Sequence, residues 1–131
     1  MARHRDGVQI MPREVKVSEA DVMKAIIGWC QANRIFVRRR NVGAIKADYK
    51  GRSRFIRYGE AGQSDLWLIY QGKHVECEVK APGKEPTDRQ LDWMKEVATA
   101  GGCAFWCDSL DDFIYGLNDA VRVMEVDRRH A

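Results

Sequence analysis

Residues 65–80, with the sequence DLWLIYQGKHVECEVK, contain two short apolar runs that meet at Gln71-Gly72. A two-residue connection between such runs predicts a β-hairpin, in which pairing continues outward from the turn until Asp65 lies opposite Glu78. Directly opposed residues share a face of the sheet. One face is therefore wholly apolar, formed by Leu66, Leu68, Tyr70, Val75, Cys77 and Val79. The other face gathers Asp65, Glu78 and Lys80 at one end.

Asp65 and Glu78 are expected to repel each other, because opposed side chains on paired strands have Cβ atoms about 4.5–5.5 Å apart. A protonated carboxyl, the Lys80 ammonium or a divalent cation bound by both acids could offset that repulsion. A hard cation such as Mg²⁺ prefers oxygen ligands and supports phosphodiester hydrolysis, with Lys80 placed to position or deprotonate a water. The simplest alternative is that all three charges reach water at the strand ends.

Length and composition indicate one soluble globular domain. The chain has 131 residues and is 45% hydrophobic, and no apolar run approaches the roughly 20 residues that span a bilayer. The basic N-terminus lacks the apolar region of a secretory signal, so residues 1–17 are expected to be a flexible lead-in and the protein cytoplasmic. The four cysteines suit reduced, packed thiols. A zinc site that combines His74 with Cys77, Cys103 and Cys107 is disfavoured, because His74 and Cys77 would point to opposite faces of a strand.

Positive charge is concentrated in residues 34–57, which hold nine basic residues and one acid, a net +8 that leaves −5 for the remainder of a chain of net charge +3. Such segregation favours a polyanion partner, because Lys and Arg that neutralise phosphates release counterions. A solvated basic loop is the alternative. The candidate DNA contacts are Arg38, Arg40, Lys46, Lys50, Arg52, Arg54 and Arg57.

The remaining segments predict a mixed sheet flanked by helices in the order α-β-β-β-α-β-α. Capping boxes at Ser18 and Thr87 open helices over about 19–32 and from 88 to the glycines at 101–102. Strands are expected from Ile35, in the hairpin and over 103–107, with a short additional strand at 54–58 and a last helix over about 110–118. A strand, helix and strand in succession imply a parallel pair. We expect a single domain over 18–126 and a frayed tail over 127–131.

Several motifs together resemble the PD-(D/E)xK nuclease superfamily. They are Gly62-Gln63-Ser64-Asp65, Glu78-Val79-Lys80 and Gln90 on the second helix. With Glu19 opening the first helix and Arg40-Asn41-Val42-Gly43 after the first strand, the pattern resembles the VRR-NUC branch over roughly residues 18–115. Ser64 departs from it, because the family usually has Pro before the metal-binding Asp.

That resemblance implies a restriction-endonuclease-like core and a DNA endonuclease that depends on Mg²⁺ or Mn²⁺ and uses no nucleotide cofactor. It implies Asp65, Glu78, the Val79 carbonyl and Glu19 as metal ligands, Lys80 as the catalytic lysine and Gln90 as a supporting residue. Glu19 could instead only complement its helix dipole, and Gln90 could only complete its capping box.

Freestanding domains of this type resemble phage or prokaryotic nucleases that act on branched DNA such as Holliday junctions. A non-catalytic DNA-binding module and a flap or nicking nuclease are the rival hypotheses. Because resolving a junction takes two symmetric nicks and one chain supplies one site, we expect a homodimer. Trp67 is expected to pack under a helix rather than to stack on a base, and His74 to be exposed rather than catalytic.

Overall fold

A computed structural model describes residues 4–5, 8–9, 16–40, 43–58 and 60–130, with side chains described over 16–40, 50–51 and 60–122. The helices are α1 (Glu19–Ala32), α2 (Asp88–Thr99) and α3 (Leu110–His130). The strands are β1 (His4–Arg5), β2 (Val8–Gln9), β3 (Phe36–Arg39), β4 (Gly43–Tyr49), β5 (Arg52–Tyr58), β6 (Leu66–Tyr70), β7 (Lys73–Val79) and β8 (Cys103–Cys107). Both predicted capping boxes are present, at Ser18 and Thr87.

The main sheet has four strands in the order β3-β6-β7-β8. β3 and β6 pair antiparallel, as do β6 and β7, whereas β7 and β8 are parallel and α2 makes the crossover between them. The mixed α/β sheet flanked by helices was therefore predicted correctly. The predicted order of elements matches the four strands of this sheet and the three helices. The β4–β5 hairpin is additional and comes between β3 and β6 in the sequence.

The hairpin of β6 and β7 has the predicted register, with Tyr70 opposite Lys73 and Leu66 opposite Cys77. Its turn residues Gln71 and Gly72 have φ values of 52° and 75°. Positive φ at both central positions is the geometry of a type I′ turn, whose twist matches that of the strands it joins, and glycine adopts it without a steric penalty. The turn therefore fixes which residues face the core.

The apolar face of the sheet packs against α1 and α3. Its fully buried residues Leu66, Leu68, Val75, Cys77 and Val79 form one cluster with Ile26 and Cys30 from α1 and with Phe113 and Leu117 from α3. Each large aliphatic side chain buried in this way contributes about 1.5–3 kcal/mol. All four cysteines are free and buried, as predicted. On the opposite face α2 packs against β7 and β8.

Three segments contain more regular structure than the sequence predicted. Residues 43–58 form a complete β4–β5 hairpin around Lys50-Gly51, where only a short strand at 54–58 was expected. α3 continues to His130 rather than ending near 118, and a two-residue ladder joins β1 and β2 within the expected lead-in. Among the described residues, no helix combines the length and apolar character needed to span a membrane.

Candidate functional site

The structure brings together Asp65, Glu78, Lys80 and Gln90, which the sequence placed at one end of the hairpin and on the following helix. Asp65 directly precedes β6, and its Oδ2 accepts a hydrogen bond of 2.9 Å from the Val79 backbone N–H. Glu78 Oε1 lies 2.7 Å from Gln90 Nε2 and 3.8 Å from Lys80 Nζ. Two strands and the first turn of α2 therefore position one cluster.

Glu78 is a buried and only half-satisfied carboxylate. It is 2% exposed, so this charge does not reach water at the strand end. Its Oε1 has the partners given above, but its Oε2 has no hydrogen-bond partner among the described residues. Burial, the charge of Asp65 and a side-chain hydrogen bond to Asp65 that requires a proton on one of the two carboxyls raise the pKa of Glu78 to about 8, against the opposing influence of Lys80. A buried acceptor without a partner costs about 1–3 kcal/mol of stability, and more when it is charged. A fold that keeps this arrangement accepts that cost, so we expect Glu78 to have a role other than stabilising the fold.

Gln90 combines the two roles that the sequence left as alternatives. Its Oε1 accepts a 2.9 Å hydrogen bond from the backbone N–H of Thr87, which completes the capping box of α2. Its Nε2 donates to Glu78 at 2.7 Å. The amide is therefore held at one end by the helix terminus and orients the Glu78 carboxylate with the other.

Glu76 is a second buried acid on this face, and no sequence motif pointed to it. It is 3% exposed, and its carboxylate accepts hydrogen bonds from both terminal nitrogens of Arg40, at 2.5 and 3.2 Å, and from Trp93 Nε1 at 2.8 Å. His74 Nε2 lies 2.8 Å from the same carboxylate. Burial alone would raise the pKa of Glu76, but the hydrogen bonds from Arg40, His74 and Trp93 outweigh it and lower that pKa.

Arg40, one of the predicted DNA contacts, directs its charge into the protein. Its side chain is 19% exposed, pairs with Glu76 and lies with its guanidinium carbon 5.7 Å from the centre of the Trp93 ring. Arg38 is exposed, and so is Lys50, which lies in the turn between β4 and β5. The side chains of the other predicted contacts, Lys46, Arg52, Arg54 and Arg57, lie outside the described residues, as do Asn41 and Val42 of the motif that begins at Arg40.

Gly62 holds the Asp65 loop against α2. Its φ is 88°, and a Cβ built on it would lie 2.6 Å from Arg89 Cγ and 2.9 Å from the Arg89 carbonyl oxygen. Only glycine permits both this backbone conformation and this approach. Ser64, in the same loop, is buried, and its Oγ has no hydrogen-bond partner among the described residues. The hydroxyl therefore adds no hydrogen bond within the described part of the chain that would stabilise this loop. The family that the sequence resembles usually has Pro at this position.

The donor set at Asp65 and Glu78 fits a hard divalent cation. Two carboxylates from neighbouring strands, one with an unpaired oxygen, are typical of Mg²⁺ sites that take their other ligands from water and phosphate. Glu19, the first residue of α1, is exposed, and its charge contributes to the raised pKa of Glu78. Within the described ranges, no group of three or more His, Cys, Asp or Glu side chains is arranged to hold a metal.

Comparison with known proteins assigns this chain to no family. No protein-family model matches it, and no curated protein matches it significantly. Function is therefore inferred from the geometry and chemistry of the site.

Proposed function

We propose that this protein is a divalent-metal-dependent DNA endonuclease with a PD-(D/E)xK site of the VRR-NUC type. The observation that carries the proposal is Glu78, which is buried beside Asp65 and Lys80 and whose ionised carboxylate leaves one oxygen without a hydrogen-bond partner among the described residues. A purely structural carboxylate at this depth would be fully hydrogen-bonded, as Glu76 is. A cation ligand, in contrast, keeps an oxygen available.

Asp65, Glu78 and the Val79 carbonyl would hold Mg²⁺ or Mn²⁺, with Glu19 as an additional acid. When bound, such a cation lowers the pKa of a water and neutralises charge on the phosphate, which hydrolysis of a phosphodiester requires. The Val79 N–H fixes Asp65, and Gln90 fixes Glu78, so neither carboxylate has to be reoriented.

Lys80 supplies the positive charge of the site. Its ammonium lies 3.8 Å from Glu78 Oε1 on a largely buried side chain. At that position it can orient an attacking water and stabilise the negative charge that develops on the phosphate oxygens. Lys80 is therefore assigned as the catalytic lysine.

The positive charge of residues 34–57 supports DNA as the proposed substrate class. Branched DNA such as Holliday junctions is the form that we propose is preferred. Residues 34–57 carry a net charge of +8 and adjoin the site in sequence, which suits a phosphate backbone. Two nicks in a four-way junction require two sites, and a two-fold dimer provides them with the symmetry of the junction. We accordingly propose a homodimer.

Cleavage of labelled linear, flap and four-way DNA, with and without Mg²⁺ or Mn²⁺, tests the proposal, with Asp65→Asn as the matched inactive variant. Metal-dependent cutting by wild type that Asp65→Asn abolishes without weakening DNA binding supports it. Binding without cutting under any condition would contradict it and leave a DNA-binding module.

A supercoiled plasmid with an extruded cruciform, combined with light scattering, tests the junction preference and the dimer. A dimeric mass with linear plasmid as the main first product supports both. A monomeric mass with nicked circles that accumulate first would contradict both and leave a flap or nicking nuclease.

A further inference from the structure

On the sheet face that carries the candidate site, α2 packs against β7 and β8. On β3 and β6 the same face continues with Phe36, Arg38, Trp67 and Ile69. Phe36 is 42% and Ile69 43% exposed, although both are large apolar residues on strands. A contiguous exposed apolar patch on a soluble domain indicates a binding surface.

The aromatic rings of this patch form a row across three neighbouring strands. The ring centres of Phe36 and Trp67 are 5.4 Å apart, and those of Trp67 and His74 are 5.9 Å apart with a 26° angle between the planes. The guanidinium carbon of Arg38 lies 4.1 Å above the Phe36 ring. His74 is exposed, as predicted, and Trp67 is half-buried with the rings of Phe36 and His74 packed against it.

The patch lies directly beside the candidate site. Trp67, on β6, is two residues from Asp65, which directly precedes that strand, so the two lie about 7 Å apart along the chain and on the same face. Trp67 is also paired with Glu76, and the next row towards the site contains Glu78. A nucleotide next to a phosphate held at Asp65 and Glu78 would therefore reach the aromatic row.

We propose that Phe36, Trp67 and His74, with Arg38 at one end, form a stacking surface for unpaired DNA bases next to the phosphate that is cut. This inference rests on the proposed function and narrows it to substrates in which bases beside the cut are unstacked. Aromatic rings with an interleaved cation bind bases in a sequence-tolerant way, and duplex bases cannot reach such a surface. The exposed Arg38 and the basic segment that contains it complement the charge of a nucleic acid strand.

A second copy of this chain is a poorer occupant. A two-fold contact would bring the same patch of both subunits together, including Arg38 and the surrounding positive charge. Nothing in the described part of the patch supplies an exposed acid to offset that repulsion, since Glu76 is buried and paired with Arg40. Charge therefore favours a polyanion.

Fluorescence anisotropy in EDTA, with an all-thymine strand and a duplex of the same length, tests this proposal on the full chain without cleavage. Phe36→Ala and Trp67→Ala should each weaken binding of the single strand about tenfold and leave duplex binding within about twofold. Tyr115→Ala, which removes an exposed aromatic ring from α3, is the matched control and should change neither affinity.

Trp67→Phe keeps the experiment decisive if Trp67→Ala fails to fold. It should retain single-strand affinity but lose most of the tryptophan quenching that the strand causes in wild type, because the base stacks on this indole. Unchanged quenching, equal losses for single strand and duplex, or a switch from dimer to monomer with intact single-strand binding would each overturn the proposal.

The same proteins separate this inference from the proposed function. If wild type never cleaves DNA with Mg²⁺ or Mn²⁺, but the Phe36 and Trp67 variants lose single-strand affinity selectively, the nuclease proposal fails and the stacking surface is retained. If wild type cleaves and these variants bind and cut all substrates as wild type does, the stacking surface is wrong and the nuclease proposal is retained.

Discussion

Glu76 and Glu78 are two residues apart on one strand and one face, and both are almost fully buried, yet their surroundings differ. Glu76 accepts hydrogen bonds from Arg40 and Trp93, with His74 also in contact, and its pKa is lowered. Glu78 has one direct amide donor and a lysine at 3.8 Å, one oxygen without a partner among the described residues, and a pKa raised to about 8.

The difference is the one expected if Glu76 is a structural acid and Glu78 the functional acid that we propose. Donors that surround a buried carboxylate compensate for the loss of hydration, so Glu76 needs no ligand from outside. Glu78 is held in place without being compensated, and a buried group with a strongly perturbed pKa beside a second acid is typical of functional sites. Burial alone would not have distinguished the two.

The largest effect is expected for Glu78→Gln, which removes the ionised form that a cation would bind while preserving the shape of the side chain. Metal-dependent cleavage should fall at least a thousandfold, equivalent to about 4 kcal/mol of barrier. Thermal stability in the absence of metal should stay equal, because Glu78, whose pKa is raised to about 8, is largely protonated at neutral pH and glutamine replaces a neutral carboxyl of the same shape. Single-turnover cleavage and thermal melting measure the two effects, with Glu96→Gln on the exposed side of α2 as control. Normal cutting by Glu78→Gln would remove Glu78 from the site.

The corresponding change Glu76→Gln should instead destabilise the fold. It leaves the Arg40 guanidinium facing a neutral group, and breaking a buried ion pair costs about 3 kcal/mol. Urea unfolding monitored by circular dichroism measures the loss. A stability within about 0.5 kcal/mol of wild type, the range of ordinary surface changes, would show that the Glu76 network is not structural.

Gln90 should give intermediate effects that can be separated by two substitutions. Gln90→Ala removes both the capping arm and the donor to Glu78, so we expect a stability loss of about 1 kcal/mol and roughly tenfold slower cleavage. Gln90→Glu can still complete a capping box but places a carboxylate against Glu78. It should therefore slow cleavage at least as much while preserving the helix cap, and wild-type activity in Gln90→Glu would limit Gln90 to capping.

The smallest effect is expected at Ser64, the position where the resembling family usually has Pro. Because the buried Ser64 hydroxyl has no partner among the described residues, Ser64→Ala removes an uncompensated polar group. Stability should stay the same or rise by up to about 1 kcal/mol, with unchanged cleavage. A loss of more than about 1 kcal/mol in urea unfolding would mean that the hydroxyl is satisfied in solution.

The sequence predicted those features that depend on local pattern. Alternation and the Gln71-Gly72 turn were sufficient for the register that places Asp65 beside Glu78, and the spacing from Thr87 to Gln90 was sufficient for the helix cap. Glu76 was on the same predicted face. Its role could not be predicted because its partners come from distant segments, Arg40 from 36 residues before it and Trp93 from 17 residues after it.

The same limit applies to the uncovered half of the sheet. An amphipathic pattern identifies the helix α2 but does not indicate which strands that helix packs against. Only the packing of α2 on β7 and β8 leaves Phe36 and Ile69 exposed beside the site.

The most direct test of the central claim is the broadening of amide NMR signals by Mn²⁺, which reports even weak metal binding residue by residue. If Asp65 and Glu78 hold the cation, the amides of Asp65, Val79 and Lys80 should broaden first in wild type. That broadening should disappear in Glu78→Gln and persist in the exposed control Asp111→Asn. Broadening that centres on other acids, or that Glu78→Gln leaves unchanged, would contradict the assignment of this cluster as a metal site.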